Sequence, residues 1–299
     1  MDLNFQSKPG KFVKEILDFY IPLLVKVPKL RDDPSFMKEE IKATGKSGLT
    51  DVATKADIYM QEEIKKNILK LHPEWEFWGE EGDDANKDIE SNKDFLFITD
   101  PIEGTNNFRF KEDDYWGSVI ALVDLKTNEP VLGIVAQVVK KRLFLAVKGE
   151  GVNTIQFDKN GVKKVLPIIS SSNELTYNNS PHFEDHYLKQ VDKFFSLGNI
   201  LPDDPKSDEI EKERKSVMID GKKFIDVECG NLEPVLFDGG IMFKTNIEIA
   251  SSFVIINELG GKITDAKGGK WSMSIKDSIF ARKESDWKFL KKIYDKTAV

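Results

Sequence analysis

A nine-residue segment, Asp100 to Phe108, contains the side chains of this chain that are best suited to chemistry. It reads DPIEGTNNF and follows the apolar run Phe95 to Ile98, so two carboxylates three positions apart come directly after a predicted strand. Oxygen ligands of this kind select hard cations such as Mg²⁺, Mn²⁺ or Ca²⁺ over softer metals. A metal site beside an anion is one interpretation. An acidic strand-to-helix turn is the other, because Asp, Pro, Gly and Asn are ordinary turn residues.

The residues between and behind these carboxylates would fix the backbone beside a bound anion. Pro101 restricts φ and lacks an N–H donor, so the chain must leave the strand in a set direction. Gly104 lets the backbone approach a ligand closely. Its N–H and that of Thr105 would point at a phosphate if a helix begins there.

Other acidic residues stand at predicted element boundaries elsewhere in the chain. They are Asp51 and Asp57 in LTDVATKAD, Glu80 and Glu81 in WGEEGDD, and Glu248 at the head of an apolar helical pattern. Helix capping or a solvated acidic loop would explain each group taken separately. Their order and spacing along the chain favour a shared site.

Hydrophobic periodicity predicts the elements that carry these residues. Helices are expected from Phe12 to Leu24, from Asp57 to Leu71, and from Ile249 to Leu259 ahead of a Gly-Gly stop. The strand-like runs are Trp75 to Trp78, Phe95 to Thr99, Trp116 to Asp124, Val131 to Val139 and Arg142 to Val147. The short Lys140-Lys141 connection predicts a hairpin. Several strands with few helices between them predict a large, mostly antiparallel or mixed sheet.

Composition limits the function classes. The formal charge is −7 with both signs interspersed, which argues against a nucleic-acid polymer as partner. The single cysteine, Cys229, excludes an internal disulfide framework and fits a reducing compartment. The early apolar stretch Phe12 to Val27 is too polar for a membrane span and lacks the features of a signal peptide. We therefore expect a cytoplasmic protein with no membrane partner.

Taken in order, the acidic segments resemble the inositol monophosphatase family. This family is part of the lithium-sensitive, Mg²⁺-dependent phosphatase superfamily, which includes fructose bisphosphatases and bisphosphate nucleotidases. Its DxVTxxD, GEE and DPIDGTTNF motifs are similar to DVATKAD, WGEEG and ITDPIEGTNNF here. The later segment IEIASSFVIINELGGKITD resembles the family's WDxAAGxxIxxEAGGxxTD more loosely.

The resemblance implies an α/β (α+β) fold of the inositol monophosphatase and fructose bisphosphatase type. That fold is a layered αβαβα sandwich with mixed and largely antiparallel sheets. Residues 1–165 would form an N-terminal half carrying the metal motifs, and residues 166–299 a C-terminal half completing the site. The two halves would pack as one compact unit. The resemblance also suggests a homodimer.

The resemblance further implies two or three Mg²⁺ ions, with Mn²⁺ as an alternative. The first ion would be held by Glu80, Asp100 and the carbonyl of Ile102. The second would be held by Asp100, Glu103 and Glu248.

The remaining implied roles concern the attacking water and the phosphate. Thr105 and Glu80 would position the water and help to deprotonate it. Asp57 would act behind these groups or bind a further ion. The N–H groups of Gly104 and Thr105 would hold phosphate oxygens, and Lys46 would be a basic residue near the phosphate.

The chemistry of phosphate esters calls for such a site independently. A phosphate monoester is dianionic and repels hydroxide. Two divalent ions about 3.5–4 Å apart would bridge it, lower the pKa of a bound water and stabilise the leaving oxygen. The chain has only His72, His182 and His186, none beside a motif, which disfavours phosphohistidine or Ser-His-Asp chemistry.

Two predicted ligands depart from the usual family pattern. Glu103 stands where the family has Asp, and Glu248 replaces the Asp of a Trp-Asp pair whose Trp is Ile247 here. Each change adds one C–C bond, about 1.5 Å of reach. The two changes could compensate each other, because glutamates also serve in the class II fructose bisphosphatase branch. The alternative is a weak or inactive paralogue that binds a phospho-ligand or metal.

The expected activity is therefore Mg²⁺-dependent hydrolysis of a small phosphorylated metabolite, such as an inositol or sugar phosphate. A fructose bisphosphatase or a 3'(2'),5'-bisphosphate nucleotidase remains open within the enzyme class. The acidic residue that commonly contacts inositol falls at Ile241, which makes inositol phosphate less favoured.

Overall fold

A computed structural model describes most of the chain. The described residues are 3–44, 50–84, 92–110, 116–166, 172–177, 190, 193–194, 196–197, 199–200, 216–226, 233–243 and 246–298. Four residues discussed above, namely Lys46, His182, His186 and Cys229, lie outside this part, as does the side chain of Asp51.

The described helices include the three that periodicity predicts. Their bounds are α1 Lys8–Lys11, α2 Val13–Leu30, α3 Lys55–Leu71, α4 Thr105–Phe110, α5 Glu233–Leu236, α6 Asn246–Glu258 and α7 Glu284–Thr297. The second predicted helix ends at Leu71 as expected, and His72 is the C-cap of α3. In the part of the chain that the model covers, no helix is both long and apolar enough to cross a membrane.

The strands form a two-stranded hairpin and two larger sheets. Their bounds are β1 Glu39–Thr44, β2 Thr50–Thr54, β3 Glu76–Gly79, β4 Phe95–Glu103, β5 Gly117–Asp124, β6 Glu129–Gln137, β7 Arg142–Val147, β8 Gly151–Asp158, β9 Gly161–Leu166, β10 Ser172–Tyr177, β11 Asn199–Ile200, β12 Ser216–Ile219, β13 Lys222–Asp226, β14 Phe237–Phe243, β15 Lys262–Asp265 and β16 Asp277–Ala281.

The first large sheet has the order β3-β4-β5-β6-β7-β8-β9. The β3–β4 pair is parallel, and each following pair is antiparallel, which confirms the prediction of a mostly antiparallel sheet. The predicted hairpin at Lys140-Lys141 is also confirmed. Its turn is longer than expected, since β6 ends at Gln137 and β7 begins at Arg142. The N–H of Lys141 donates to the carbonyl of Val138 at 3.0 Å and closes this turn.

The second large sheet has the order β11-β12-β13-β10-β14-β16-β15. Strand β10 runs parallel to both β13 and β14, whereas β16 runs antiparallel to both of its neighbours. This sheet is therefore mixed.

Helices cover these sheets in layers. Helices α2 and α3 pack on the outer face of the first sheet through buried residues such as Tyr20, Met60 and Phe97. Helix α6 lies between the sheets, where Phe253 shares a core with Leu96 of the first sheet. The same core includes Met242 and Phe280 of the second sheet. Helix α7 packs on the far face of that sheet through buried residues such as Leu290 and Ile293. The order of layers is αβαβα, as predicted.

Candidate active site

A β-bulge at the end of β4 sets the direction of the two carboxylates in DPIEG. Asp100 pairs with Val119 and Glu103 pairs with Gly117, so three steps on β4 oppose two on β5. In a regular strand, residues three apart lie on opposite faces. The extra residue of the bulge reverses that alternation and brings Asp100 and Glu103 to one face. The sequence places them close in the chain, and the bulge places them close in space.

The turn after the bulge leads directly into α4. Oδ1 of Asp100 accepts a hydrogen bond from the N–H of Ile102 at 3.1 Å. Gly104 has a φ of 82°, a left-handed conformation that favours glycine. Helix α4 begins at Thr105, and the N–H of Phe108 bonds to the carbonyl of Gly104 at 3.0 Å. The condition on which the predicted phosphate contacts depend, a helix beginning here, is therefore met.

Thr105 and Asp57 meet across two helix starts. The Thr105 hydroxyl donates to Oδ1 of Asp57 at 3.0 Å and also lies 3.1 Å from the carbonyl oxygen of Ile102. Oδ2 of Asp57 accepts from the backbone N–H of Thr54 at 2.8 Å and from its hydroxyl at 2.5 Å. The hydrogen bond from the Thr54 N–H to the Asp57 side chain is part of a capping box for α3. Asp57 therefore caps α3 and also contacts the Thr105 hydroxyl at the start of α4.

Burial governs the charge state of Asp57. The side chain has no solvent exposure. Burial raises the pKa of Asp57 to about 6, although the hydrogen bonds from Thr54, the charge of Lys42 and the hydrogen bond from Thr105 all oppose that rise. At pH 7 the ionised form of this carboxyl therefore predominates, and below about pH 6 the protonated form does.

Gln61 clamps the backbone that carries Glu80 and Glu81. Its amide donates to the carbonyl of Glu81 at 2.8 Å, and its carbonyl accepts from the N–H of Glu81 at 2.8 Å. Gly79 leaves room for this contact, because a Cβ there would lie 2.2 Å from the Gln61 side chain. The N–H of Glu80 bonds to the carbonyl of Thr99 at 3.2 Å and so continues the β3–β4 pairing. Sequence reasoning missed Gln61, although a polar residue on the apolar face of α3 was a signal.

The acidic residues converge electrostatically around Asp100. Asp100 and Glu103 are both buried, and Glu248 lies in the first turn of α6. Burial, the charges of Glu80, Glu103 and Glu248, and a hydrogen bond to Glu80 raise the pKa of Asp100 well above its usual range. The fold therefore brings the four predicted acidic ligands to one region, beside the carbonyl of Ile102.

This region fits a divalent cation by donor type and by charge. Carboxylate and carbonyl oxygens are the donors that Mg²⁺ prefers, and several buried carboxylates need a compensating cation. The side chains do not form a closed ligand shell. Within the described ranges, no group of three or more acidic, histidine or cysteine side chains is arranged to hold one ion. The metal roles of the five predicted ligands stay predictions.

Lys42 is a basic residue of this region that sequence reasoning missed. Its Nζ lies 2.8 Å from a Glu80 oxygen and 2.7 Å from a Glu81 oxygen. Burial alone would lower the pKa of Lys42, but the charges and hydrogen bonds of both glutamates outweigh it and raise that pKa above its ordinary value. Lys42 is therefore a permanent cation beside the predicted ligands.

We call the group formed by Glu80, Asp100, Glu103 and Glu248 the acidic centre. The layers of helices and sheets and this acidic centre define a class of protein, a layered α/β protein whose carboxylates meet at the end of β4. Comparison with known proteins identifies the family. The model of the inositol monophosphatase family matches residues 16–298, nearly the whole chain, and the chain belongs to this family.

Individual relatives agree with this assignment. The fructose-1,6-bisphosphatase/inositol-1-monophosphatase of Thermotoga maritima is 26% identical over 266 residues, which are 89% of this chain and 90% of the relative. Inositol monophosphatase 1 of Xenopus laevis is 25% identical over 246 residues, 79% and 78% of the two chains. The structure of an IMPase/NADP phosphatase complexed with Mg²⁺ and phosphate superposes with a TM-score of 0.66 at 19% identity, covering 96% of each chain. That structural likeness shows the fold.

Proposed function

We propose that this protein is a Mg²⁺-dependent phosphatase that hydrolyses a small phosphorylated metabolite, an inositol or sugar phosphate. Its family is one of phosphatases. The observation that carries the proposal is the hydrogen bond from Thr105 to Asp57 at 3.0 Å, beside the carboxylates that surround Asp100. A hydroxyl held by a buried carboxylate next to an oxygen-rich cation site is suited to directing a water molecule.

The roles of the cation ligands follow the sequence prediction. Glu80, Asp100 and the carbonyl of Ile102 would hold one Mg²⁺, and Asp100, Glu103 and Glu248 another. When bound, Mg²⁺ would supply a water of lowered pKa and neutralise charge on the phosphate. Mn²⁺ would be an alternative ion, because it also prefers oxygen ligands.

The remaining residues would act on water and phosphate. Because the Thr105 hydroxyl donates to Asp57, its lone pairs remain available to accept a hydrogen bond from the attacking water. Glu80 would accept the proton of that water. The N–H groups of Gly104 and Thr105 would bind phosphate oxygens at the start of α4. The predicted role of Lys46 near the phosphate is part of the same proposal.

The names of relatives bear on the substrate. The Thermotoga relative is named for both fructose bisphosphate and inositol monophosphate, and the superposed structure for both an IMPase and an NADP phosphatase. Ile241, at the position where the family resemblance places an inositol contact, is fully buried and apolar. It offers no hydrogen bond to an inositol hydroxyl. This favours a sugar phosphate or bisphosphate over inositol phosphate.

A second candidate is a protein of the same fold that binds a phospho-ligand or metal without hydrolysis. One contact favours it. Lys42 occupies oxygens of Glu80 and Glu81, where a catalytic ion would otherwise bind. Glu103 and Glu248, which stand where the family has aspartates, also favour this second candidate.

A panel of phosphate esters tests the first candidate. Phosphate release would be measured with Mg²⁺ and with Mn²⁺ on inositol 1-phosphate, fructose 1,6-bisphosphate, glucose 6-phosphate and adenosine 3',5'-bisphosphate, with EDTA as the control. We expect metal-dependent release from at least one ester. Absence of turnover by folded protein with either metal would refute the phosphatase. Calorimetric binding of an ester without its hydrolysis would instead support the second candidate.

We also propose that the protein is a cytoplasmic homodimer whose partners are small phosphorylated substrates, with no nucleic-acid polymer or membrane. The charge of −7 and the single cysteine support the compartment and the absence of a nucleic-acid partner. Family resemblance supports the dimer. Sedimentation equilibrium would test it, and a monomer at micromolar concentration would contradict it.

A further inference from the structure

A β-bulge in the β1–β2 hairpin holds Lys42 beside the acidic centre. In the β1–β2 pairing, Ile41 faces Val52 and Ala43 faces Asp51, so Lys42 is the extra residue of a bulge. A bulge changes the direction of the side chain that it carries. The Lys42 side chain, which is 23% accessible, contacts both Glu80 and Glu81.

Strand β1 is also attached to the helix that carries Thr105. Arg109 of α4 forms an ion pair with Glu39 and donates to the side chain of Asn106 at 2.8 Å. The bulge residue Lys42 thus lies in a strand that has one attachment to the site besides Lys42 itself, the ion pair between Glu39 and Arg109. Its position beside the glutamates does not depend on its own ion pairs alone.

The lysine ammonium and a divalent ion would compete for the same oxygens. Lys42 Nζ lies within hydrogen-bond distance of carboxylates from both Glu80 and Glu81, and the Glu81 side chain is only 5% accessible. A second cation at those oxygens would have to displace the ammonium or accept its repulsion. A cleft of about 510 Å³ borders Lys42 and both glutamates, so removal of the lysine would open them to a hydrated ion.

We propose that the Lys42 ammonium takes the place of one divalent ion at the Glu80 side of the site. Lys42 is then a positioning residue, which holds the Glu80 carboxylate and lowers the number of ions that the chain binds. The inference rests on the proposed metal-dependent function and deepens it. It predicts one fewer divalent ion per chain than the same site would bind without the lysine.

Counting bound Mn²⁺ tests this directly. Mn²⁺ binding to EDTA-treated protein would be measured by calorimetry and by electron paramagnetic resonance of the free ion, for the wild type and for Lys42→Met and Lys42→Arg. Lys42→Met should bind one more Mn²⁺ per chain than the wild type. Lys42→Arg keeps the charge and should match the wild type.

Lys65→Met is the matched control. Lys65 borders the same cleft and pairs with Asp84 at 2.7 Å, but no ion pair joins it to Glu80 or Glu81 among the described contacts. Its replacement should leave Mn²⁺ stoichiometry unchanged. Lys42→Gln replaces Lys42→Met if circular dichroism shows the latter unfolded.

The outcomes separate this inference from the function on which it rests. Equal Mn²⁺ stoichiometry in the wild type and in a folded Lys42→Met or Lys42→Gln variant, with ions bound to both, overturns the role of Lys42 and leaves the metal site standing. No Mn²⁺ bound to any folded variant overturns the proposed metal dependence and the inference with it. An extra ion in Lys42→Met but not in Lys42→Arg or Lys65→Met supports the inference.

Discussion

The hydroxyl of Thr105 donates to Oδ1 of Asp57 at 3.0 Å and thereby joins the start of α4 to the first turn of α3. The other oxygen of the same carboxylate accepts both donors of Thr54. A single buried aspartate therefore caps one helix and orients the hydroxyl at the beginning of another. Two segments that are 48 positions apart in the chain are fixed relative to each other at the point where chemistry is proposed.

Removal of the Thr105 hydroxyl should lower turnover. We expect Thr105→Ala to reduce kcat by about 10²-fold or more, since a group that orients or deprotonates a reactant contributes on that order, whereas Thr105→Ser should retain most activity. Thr264→Val is a remote control, because the Thr264 hydroxyl contacts Trp287 and the carbonyl of Asp265. Steady-state kinetics on the best ester check this, and an active Thr105→Ala variant would remove Thr105 from the mechanism.

Local chemistry made part of this site predictable from the sequence. The capping residues of α3, the proline and glycine of the DPIEG turn and the start of α4 depend on near neighbours in the chain. Their positions could therefore be inferred before the fold was known. The helix α6 was recognisable because its apolar residues end at a Gly-Gly stop.

Long-range pairing made the rest unpredictable. The direction of Lys42 depends on a bulge in the β1–β2 hairpin, and that of Glu103 on a bulge in the β4–β5 pair. A bulge depends on the register between strands, which the sequence pattern of one strand does not contain. Strands β8 and β9 also escaped prediction, because their side chains are largely half-exposed and show no apolar run.

The titration of Asp57 should lower stability as the pH rises. Its pKa is about 6 when folded, above the ordinary value of 3.8, so the protonated form stabilises the fold. That contribution is complete below about pH 4 and is lost as the pH rises through about 6, amounting to about 3 kcal/mol. Urea unfolding of the metal-free wild type and of Asp57→Asn would isolate it.

The sign of that difference is the decisive feature. The free energy of unfolding of the wild type minus that of Asp57→Asn should fall between about pH 4 and pH 6. A difference that rises over this range would mean that the folded protein stabilises the ionised carboxylate, contrary to the burial of Asp57. Metal-free protein is required, because a bound cation would add its own charge to the balance.

The pair Glu103 and Glu248 should behave as one unit if their longer side chains compensate each other. Glu103→Asp and Glu248→Asp should each lower kcat/KM, and the double variant should recover part of the loss. The expected coupling is about 1–3 kcal/mol in the double-mutant cycle. Losses in the two single variants that simply add would contradict compensation.

Gln61 should prove important for stability. Gln61→Ala leaves the buried N–H and carbonyl of Glu81 without their 2.8 Å partners, which we expect to cost about 1–3 kcal/mol. Lys66→Ala, on the same helix, removes a largely exposed ion pair with Glu63 and should cost less than about 1 kcal/mol. Urea unfolding measures both, and equal losses would argue against the clamp.

The central claim is that divalent metal held by the acidic centre, which includes Asp100 and Glu103, is required for phosphate release. It is tested most directly by titrating EDTA-treated protein with Mg²⁺ while following release from the best ester of the panel, for the wild type and for Glu103→Gln. We predict no release without metal, a saturable rise with Mg²⁺ in the wild type, and the loss of most activity in a Glu103→Gln variant that remains as stable as the wild type. Release that is indifferent to EDTA, or a fully active Glu103→Gln variant, would contradict the account.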